Sequence, residues 1–221
     1  MQESVVLTAS DGHQLDAYRV RPSTRRKGGI VVIQEVFGVN EHIRELCERC
    51  AAEGYEAIAP ALFDRVRPRV TLPYDDAGIV EGRELATAIG GDKPMLDIRA
   101  AAKAIDLDGK VGVVGYCWGG SWAWLAGCRL DIACSVCYYG RHIPDLLDEI
   151  PRCPTMMHFG SEDSSIPLEN IEKIRQAYPD IPIYVYEGAG HGFNCDQRAS
   201  FNAEAAALAR KRTLAFFADH L

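Results

Sequence analysis

The chain has 221 residues, 48% of them hydrophobic and 25% charged, and carries a formal net charge of −7. It is long enough for one large core, read as a single domain over 1–221, and its composition excludes collagen-like, low-complexity and disulfide-stapled classes. The negative balance argues against broad nucleic-acid or anionic-membrane binding.

The first twenty residues alternate polar and apolar and include Asp11, Asp16 and Arg19, so no secretory apolar region is legible. No apolar run reaches the roughly eighteen residues that a spanning helix requires. A cytoplasmic chain with eight reduced cysteines is the expectation. Val5–Leu7 and Leu15–Val20 flank Asp11-Gly12 and predict an antiparallel hairpin. Two basic clusters, Arg25-Arg26-Lys27 and Arg65/Arg67/Arg69, read as solvated loops.

Gly29–Gln34 is a β-branched run typical of a strand covered on both faces. Ile43, Leu46, Cys47, Cys50 and Ala51 then keep the helical period over Glu41–Glu53. Cys47 and Cys50 have CxxC spacing but no second pair, so core-facing thiols are expected rather than zinc ligands. Tyr55–Ala59 is the next strand and residues 60–75 a loop. Helices are expected near 76–89 and 94–106, and a strand at 111–114.

Further strands are expected at Ile132–Tyr138, Thr155–Phe159 and Ile183–Tyr186. Helices are expected near Leu168–Ala177 and Ser200–His220. Strands alternating with helices predict an α/β fold, a mostly parallel sheet with helices on both faces.

The most informative segment is Gly115-Tyr116-Cys117-Trp118-Gly119-Gly120, after the run Lys110–Val114 and before a helix-like stretch. Strand, Gly-rich turn and helix form the context of the nucleophile elbow G-x-S-x-G, with cysteine in place of serine. At a helix N-terminus the partial positive charge favours thiolate. In a doubly wound sheet ligands bind at the carboxyl ends of strands. Four residues sit there: Glu35, Cys117, Asp163 and His191.

The order nucleophile, acid, histidine is that of the α/β-hydrolase fold. Cys117 is assigned as nucleophile, His191 as proton shuttle and Asp163 as the acid orienting it, with Glu162 as the competing acid. His13, His42, His142, His158 and His220 lack strand-end context or the right place in that order. Backbone N–H groups of Trp118 and Val36 are the candidate oxyanion donors. For Glu35, an ion pair with Arg83 or Arg99 is one reading and a direct role near Cys117 the other.

These residues resemble the dienelactone hydrolases (carboxymethylenebutenolidases). The similarity lies in Gln34–Asn40, Gly112–Gly120, Tyr138-Tyr139-Gly140, Gly188–Phe193 and Ala205–Ala209. The resemblance implies a Cys117–His191–Asp163 triad, with Glu35 contacting the resting thiol and exchanging partners when substrate arrives. It implies hydrolysis of an enol-lactone such as dienelactone to maleylacetate, without metal or organic cofactor.

Family members hold the substrate carboxylate with two arginines. Arg83 matches the first; the second falls at Cys195, so Arg198 is the expected replacement, with Tyr139 completing the substrate-binding set. The expected partner is a small lactone or ester, and the expected state a monomer or weak homo-oligomer. The alternatives are a promiscuous small-ester or thioester carboxylesterase, and a non-catalytic protein in which Cys117 senses oxidants.

Overall fold

Eight strands lie side by side in one sheet in the order β1-β2-β4-β3-β5-β6-β7-β8. The computed structural model describes residues 1–221. The strands are β1 (Gln2–Thr8), β2 (Gln14–Val20), β3 (Gly28–Ile33), β4 (Tyr55–Pro60), β5 (Val111–Tyr116), β6 (Cys134–Tyr138), β7 (Thr155–Gly160) and β8 (Ile183–Tyr186). β1 pairs antiparallel with β2, and β2 antiparallel with β4. All remaining pairings are parallel. This is the expected α/β-hydrolase architecture, hairpin included.

β3, β4 and β5 are buried at every position. That burial explains their continuous apolar runs: a strand with helices on both faces has no solvent side to alternate toward. The helices are α1 (Glu41–Ala52), α2 (Asp76–Ile89), α3 (Lys93–Ile105), α4 (Trp118–Arg129), α5 (Leu168–Ala177) and α6 (Ala203–His220). Asn40, Asp75 and Asn202 cap α1, α2 and α6 by accepting from backbone N–H groups. Cys47 packs in the core under α1, as the helical period requires. No helix is long and apolar enough to cross a membrane.

Two hydrophobic clusters result. The larger lies along the sheet and includes Ile33, Val113, Trp124, Tyr138 and Phe159. The smaller joins Val36, Phe37, Phe63, Val70, Leu72, Leu85 and Ile89 beneath α2. Residues 60–75, read as a loop, contain a short 3₁₀ turn at Leu62–Arg65. Leu72 N–H donates to Phe37 O at 3.0 Å, and Gly38 pairs with Thr71, so this segment is stitched to the turn after β3.

The second basic cluster is the expected solvated loop at Arg67 and Arg69, 52% and 85% exposed, but not at Arg65. Arg65 is 6% exposed because Asp97 (2.7 Å) and Asp11 (2.8 Å) neutralise it. In the first cluster, Arg26 donates to Glu56 at 2.9 Å. In both cases the acids come from distant sequence, which local composition cannot reveal.

Candidate active site

Cys117 stands between β5 and α4 with φ +55° and ψ −116°, a conformation rarely adopted by a residue with a Cβ. The turn is held by Cys117 N–H donating to Tyr138 O at 3.0 Å and by Gly120 N–H donating to Cys117 O at 2.9 Å. Its tightness depends on Gly119, where a Cβ would stand 2.4 Å from Gln34 O and 2.5 Å from Ile33 O. The glycine lets α4 start against the end of β3, bringing Trp118 beside the turn that follows β3.

Asp163 follows β7 and is buried, while Glu162 is exposed. His191 follows β8 in a glycine-containing loop. Its Nδ1 lies 2.7 Å from Asp163 Oδ2 and its Nε2 lies 3.1 Å from Cys117 Sγ. The other Asp163 oxygen accepts from Ser165 N–H at 2.8 Å, which fixes the carboxylate. Burial pushes the His191 imidazole toward neutrality, but the Cys117 sulfur and the Asp163 carboxylate outweigh it and raise the ring to about 10. The site is therefore arranged to hold imidazolium beside sulfur. Three strand ends meet in one hydrogen-bonded chain, and Asp163 rather than Glu162 is the carboxylate in it.

The relay opens into a cleft of about 330 Å³. Val36 and Trp118 line it. Val36 N–H makes no protein hydrogen bond, and Trp118 opens α4, where N–H groups have no intrahelical acceptor. Both expected oxyanion donors therefore border Cys117. Arg83 and Arg198 line the same cleft, so a cation stands there although position 195 is a cysteine. A Cβ at Gly192 would stand 2.4 Å from Arg198 Nη1, so the guanidinium crosses directly over this glycine, whose φ is +77°.

Three expectations change. Glu35 is fully buried and makes no hydrogen bond to Cys117; its Oε1 accepts from Arg198 Nη1 at 3.3 Å and its Oε2 from Tyr74 O–H at 3.1 Å. The ion-pair partner is thus neither Arg83 nor Arg99. With His191 already on the sulfur, the carboxylate turns to the nearest cation, which burial requires. Arg198 also lies over the adjoining rings of Phe37 and Tyr74, 5.5 and 5.7 Å from their centroids.

Tyr139 does not line the cleft. It lies fully buried with φ +37° and its ring 5.2 Å from that of His191, a support beneath the histidine. The third change is His142, set aside from the sequence, which lines the cleft beside Arg141 and Ser165. All three follow the carboxyl end of a strand, the signal that could have found them. His158, by contrast, is a core residue. Its nitrogens meet Tyr186 O–H at 2.8 Å and Thr213 Oγ1 at 3.1 Å, and burial holds it down at about 3.

An eight-stranded sheet with a strained strand-to-helix turn, and acid and histidine presented from later strand ends, defines the α/β-hydrolase class. The profile of the dienelactone hydrolase family matches residues 15–221. A Synechocystis sp. protein provisionally named a carboxymethylenebutenolidase is 38% identical, over 87% of this chain and 86% of its own length. The carboxymethylenebutenolidase of Pseudomonas putida is 32% identical, over 99% of this chain and 97% of its own. A Klebsiella pneumoniae crystal structure, provisionally titled a dienelactone hydrolase, superposes with a TM-score of 0.86 at 30% identity, covering 99% and 98% of the two chains. The chain belongs to the dienelactone hydrolase family and is a hydrolase of esters or lactones.

Proposed function

We propose that this enzyme opens an anionic enol-lactone of the dienelactone type, giving maleylacetate from dienelactone itself, through a Cys117 acyl-enzyme. The observation that carries this reading is the continuous relay from Asp163 through His191 to Cys117 Sγ, at 2.7 and 3.1 Å. Cys117 as thiolate attacks the lactone carbonyl, and the carbonyl oxygen becomes an oxyanion facing Val36 and Trp118 N–H. Collapse breaks the ring C–O bond. The enolate leaves, takes a proton and tautomerises to the ketone, while the acyl group stays on sulfur as a thioester. His191, now neutral, takes a proton from water as that water attacks the thioester. Thiolate is expelled and the ring is again imidazolium.

Arg83 and Arg198 support the anionic substrate. Arg83 makes no ion pair, Arg198 is shared with Glu35, and no carboxylate side chain lines the cleft. The test is kcat/KM over a panel of anionic lactones, neutral lactones and p-nitrophenyl esters, with mass spectrometry of the protein after mixing. Preference for anionic lactones and an adduct on Cys117 are expected. Turnover undiminished in Cys117→Ala overturns the acyl-enzyme, and equal or better use of neutral esters replaces the substrate class with small-ester hydrolysis.

A further inference from the structure

We propose that Glu35, His42 and Cys195 form a binding site for a borderline-soft divalent cation of the zinc class, buried directly behind the cleft. A ring nitrogen of His42, a carboxylate oxygen of Glu35 and Cys195 Sγ lie within 4.8 Å of one another, and all three residues are fully buried. They come from three separate places: the turn after β3, the first turn of α1 and the loop after His191. Their convergence is therefore a property of the fold and not of local sequence.

His42 gives the cluster its meaning. Both of its ring nitrogens are buried with no hydrogen-bond partner. Native proteins leave few buried polar atoms unpaired, and an ion is one physical reason for an exception. Burial disfavours the charged form of this imidazole, and neutral imidazole is the form that ligates metal. Sulfur, imidazole and carboxylate together suit zinc and not the all-oxygen preference of calcium or magnesium.

Behind the ring, Asp196 Oδ1 lies 3.6 Å from His42 Nδ1. A carboxylate in that position is the usual partner that orients a metal-bound histidine. Tyr74 O–H, which donates to Glu35 Oε2 at 3.1 Å, borders the cluster.

Binding would replace the Cys195 thiol proton, released to solvent, by a metal–sulfur bond. Thiolate and carboxylate then balance the two positive charges of the ion. The ion is no reactant in the hydrolysis. Its link to the cleft is Glu35, whose charge it shares with Arg198. An ion drawing on that carboxylate leaves more of the guanidinium charge for a substrate anion.

The cleft thiol could itself take up zinc, so the test uses the full chain carrying Cys117→Ala. Zn²⁺ is titrated by calorimetry, and Co²⁺ by absorption, where a thiolate-to-cobalt charge-transfer band reports a bound cysteine. One ion per chain and that band are expected. Adding Cys195→Ala should remove the band and weaken zinc by more than Asp196→Asn does. The Asp196 change, behind the ligand, should cost roughly 10–100-fold.

Circular dichroism and melting of the metal-free variants check the fold. If the Cys195 variant does not fold, the partly exposed Asp196 variant carries the test. No band, or zinc affinity unchanged by whichever variant folds, overturns the site and leaves His42 with water alone.

Discussion

The two hydrophobic clusters differ in size, and each holds a different half of the active site. The larger underlies β5, β7 and β8, whose ends carry Cys117, Asp163 and His191. The smaller, seven residues, carries Val36 and Phe37 and supports α2, from which Arg83 reaches the cleft. Trp118 touches both, and its ring lies 5.5 Å from that of Phe63. The hydrogen-bonded chain from Asp163 through His191 to Cys117 is thus seated on the larger core. The smaller core supports the wall of the cleft that carries Arg83. Damage to the first should appear in kcat, and damage to the second in KM except where it moves the Val36 turn.

The largest expected effect is on the relay. Cys117→Ala should lower kcat by a factor of about 10⁶ while leaving the melting temperature close to wild type, since the sulfur contacts the relay and is not a core staple. Unchanged turnover would remove Cys117 from the mechanism. Next comes Asp163→Asn, expected to cost about 10⁴ in kcat, and to add little on top of His191→Ala because the relay acts as a unit. A harmless Asp163→Asn beside an inactive Glu162→Gln would transfer the role of acid to its neighbour.

Gly82→Ala probes whether the smaller cluster only binds. A Cβ there would stand 1.9 Å from Val36 O, so α2 or the Val36 turn must shift. A displaced oxyanion donor costs about 10²–10³ in kcat. A change confined to KM would show that Val36 N–H is not a donor and would make the division between the clusters sharper. Arg83→Ala should raise KM for anionic lactones by one to two decades, about 1.5–3 kcal/mol for a charge-assisted contact, and leave neutral esters almost unchanged. Equal effects on both would make Arg83 structural.

The smallest effect is on stability against pH. In the folded chain His191 is raised from 6.5 to about 10, burial opposing but Cys117 and Asp163 prevailing. The folded state therefore binds this proton more tightly than the unfolded state. The resulting stabilisation is fully present below pH 6.5 and fades as pH rises through 10. The melting difference between wild type and His191→Gln should shrink across that window, and a difference that grows would reverse the assignment of charge.

Much of this was legible in the sequence because it is governed by local rules. Strand runs, caps and the order Cys117, Asp163, His191 follow from burial period and strand-end position, and the structure brings those three together as expected. What was not legible depends on partners far along the chain. Glu35 could be read as a buried acid, but its choice of Arg198 over Arg83 or Arg99 is set by how the loop after β8 folds over Gly192. Arg65 reads as exposed until Asp11 and Asp97 are in place. His142 comes before the acid in the chain, so the order of the triad passes it over, and its place at the end of β6 shows only once that strand is in the sheet. Tyr139, part of a matched segment, lies under the histidine and does not line the cleft.

The turn around Cys117 has a consequence for how such an enzyme can change over generations. At Gly115, Gly119 and Gly120 a single added methyl would meet a backbone carbonyl at 1.9, 2.4 and 2.3 Å. No neighbouring side chain can yield there, because the obstacle is main chain. Heritable variation is therefore closed at three positions surrounding the nucleophile. It remains open at Arg83, Arg141 and Thr87, whose side chains face the cleft from the surface. A lineage carrying this turn can therefore vary the wall of the cleft by single steps while the turn itself stays the same.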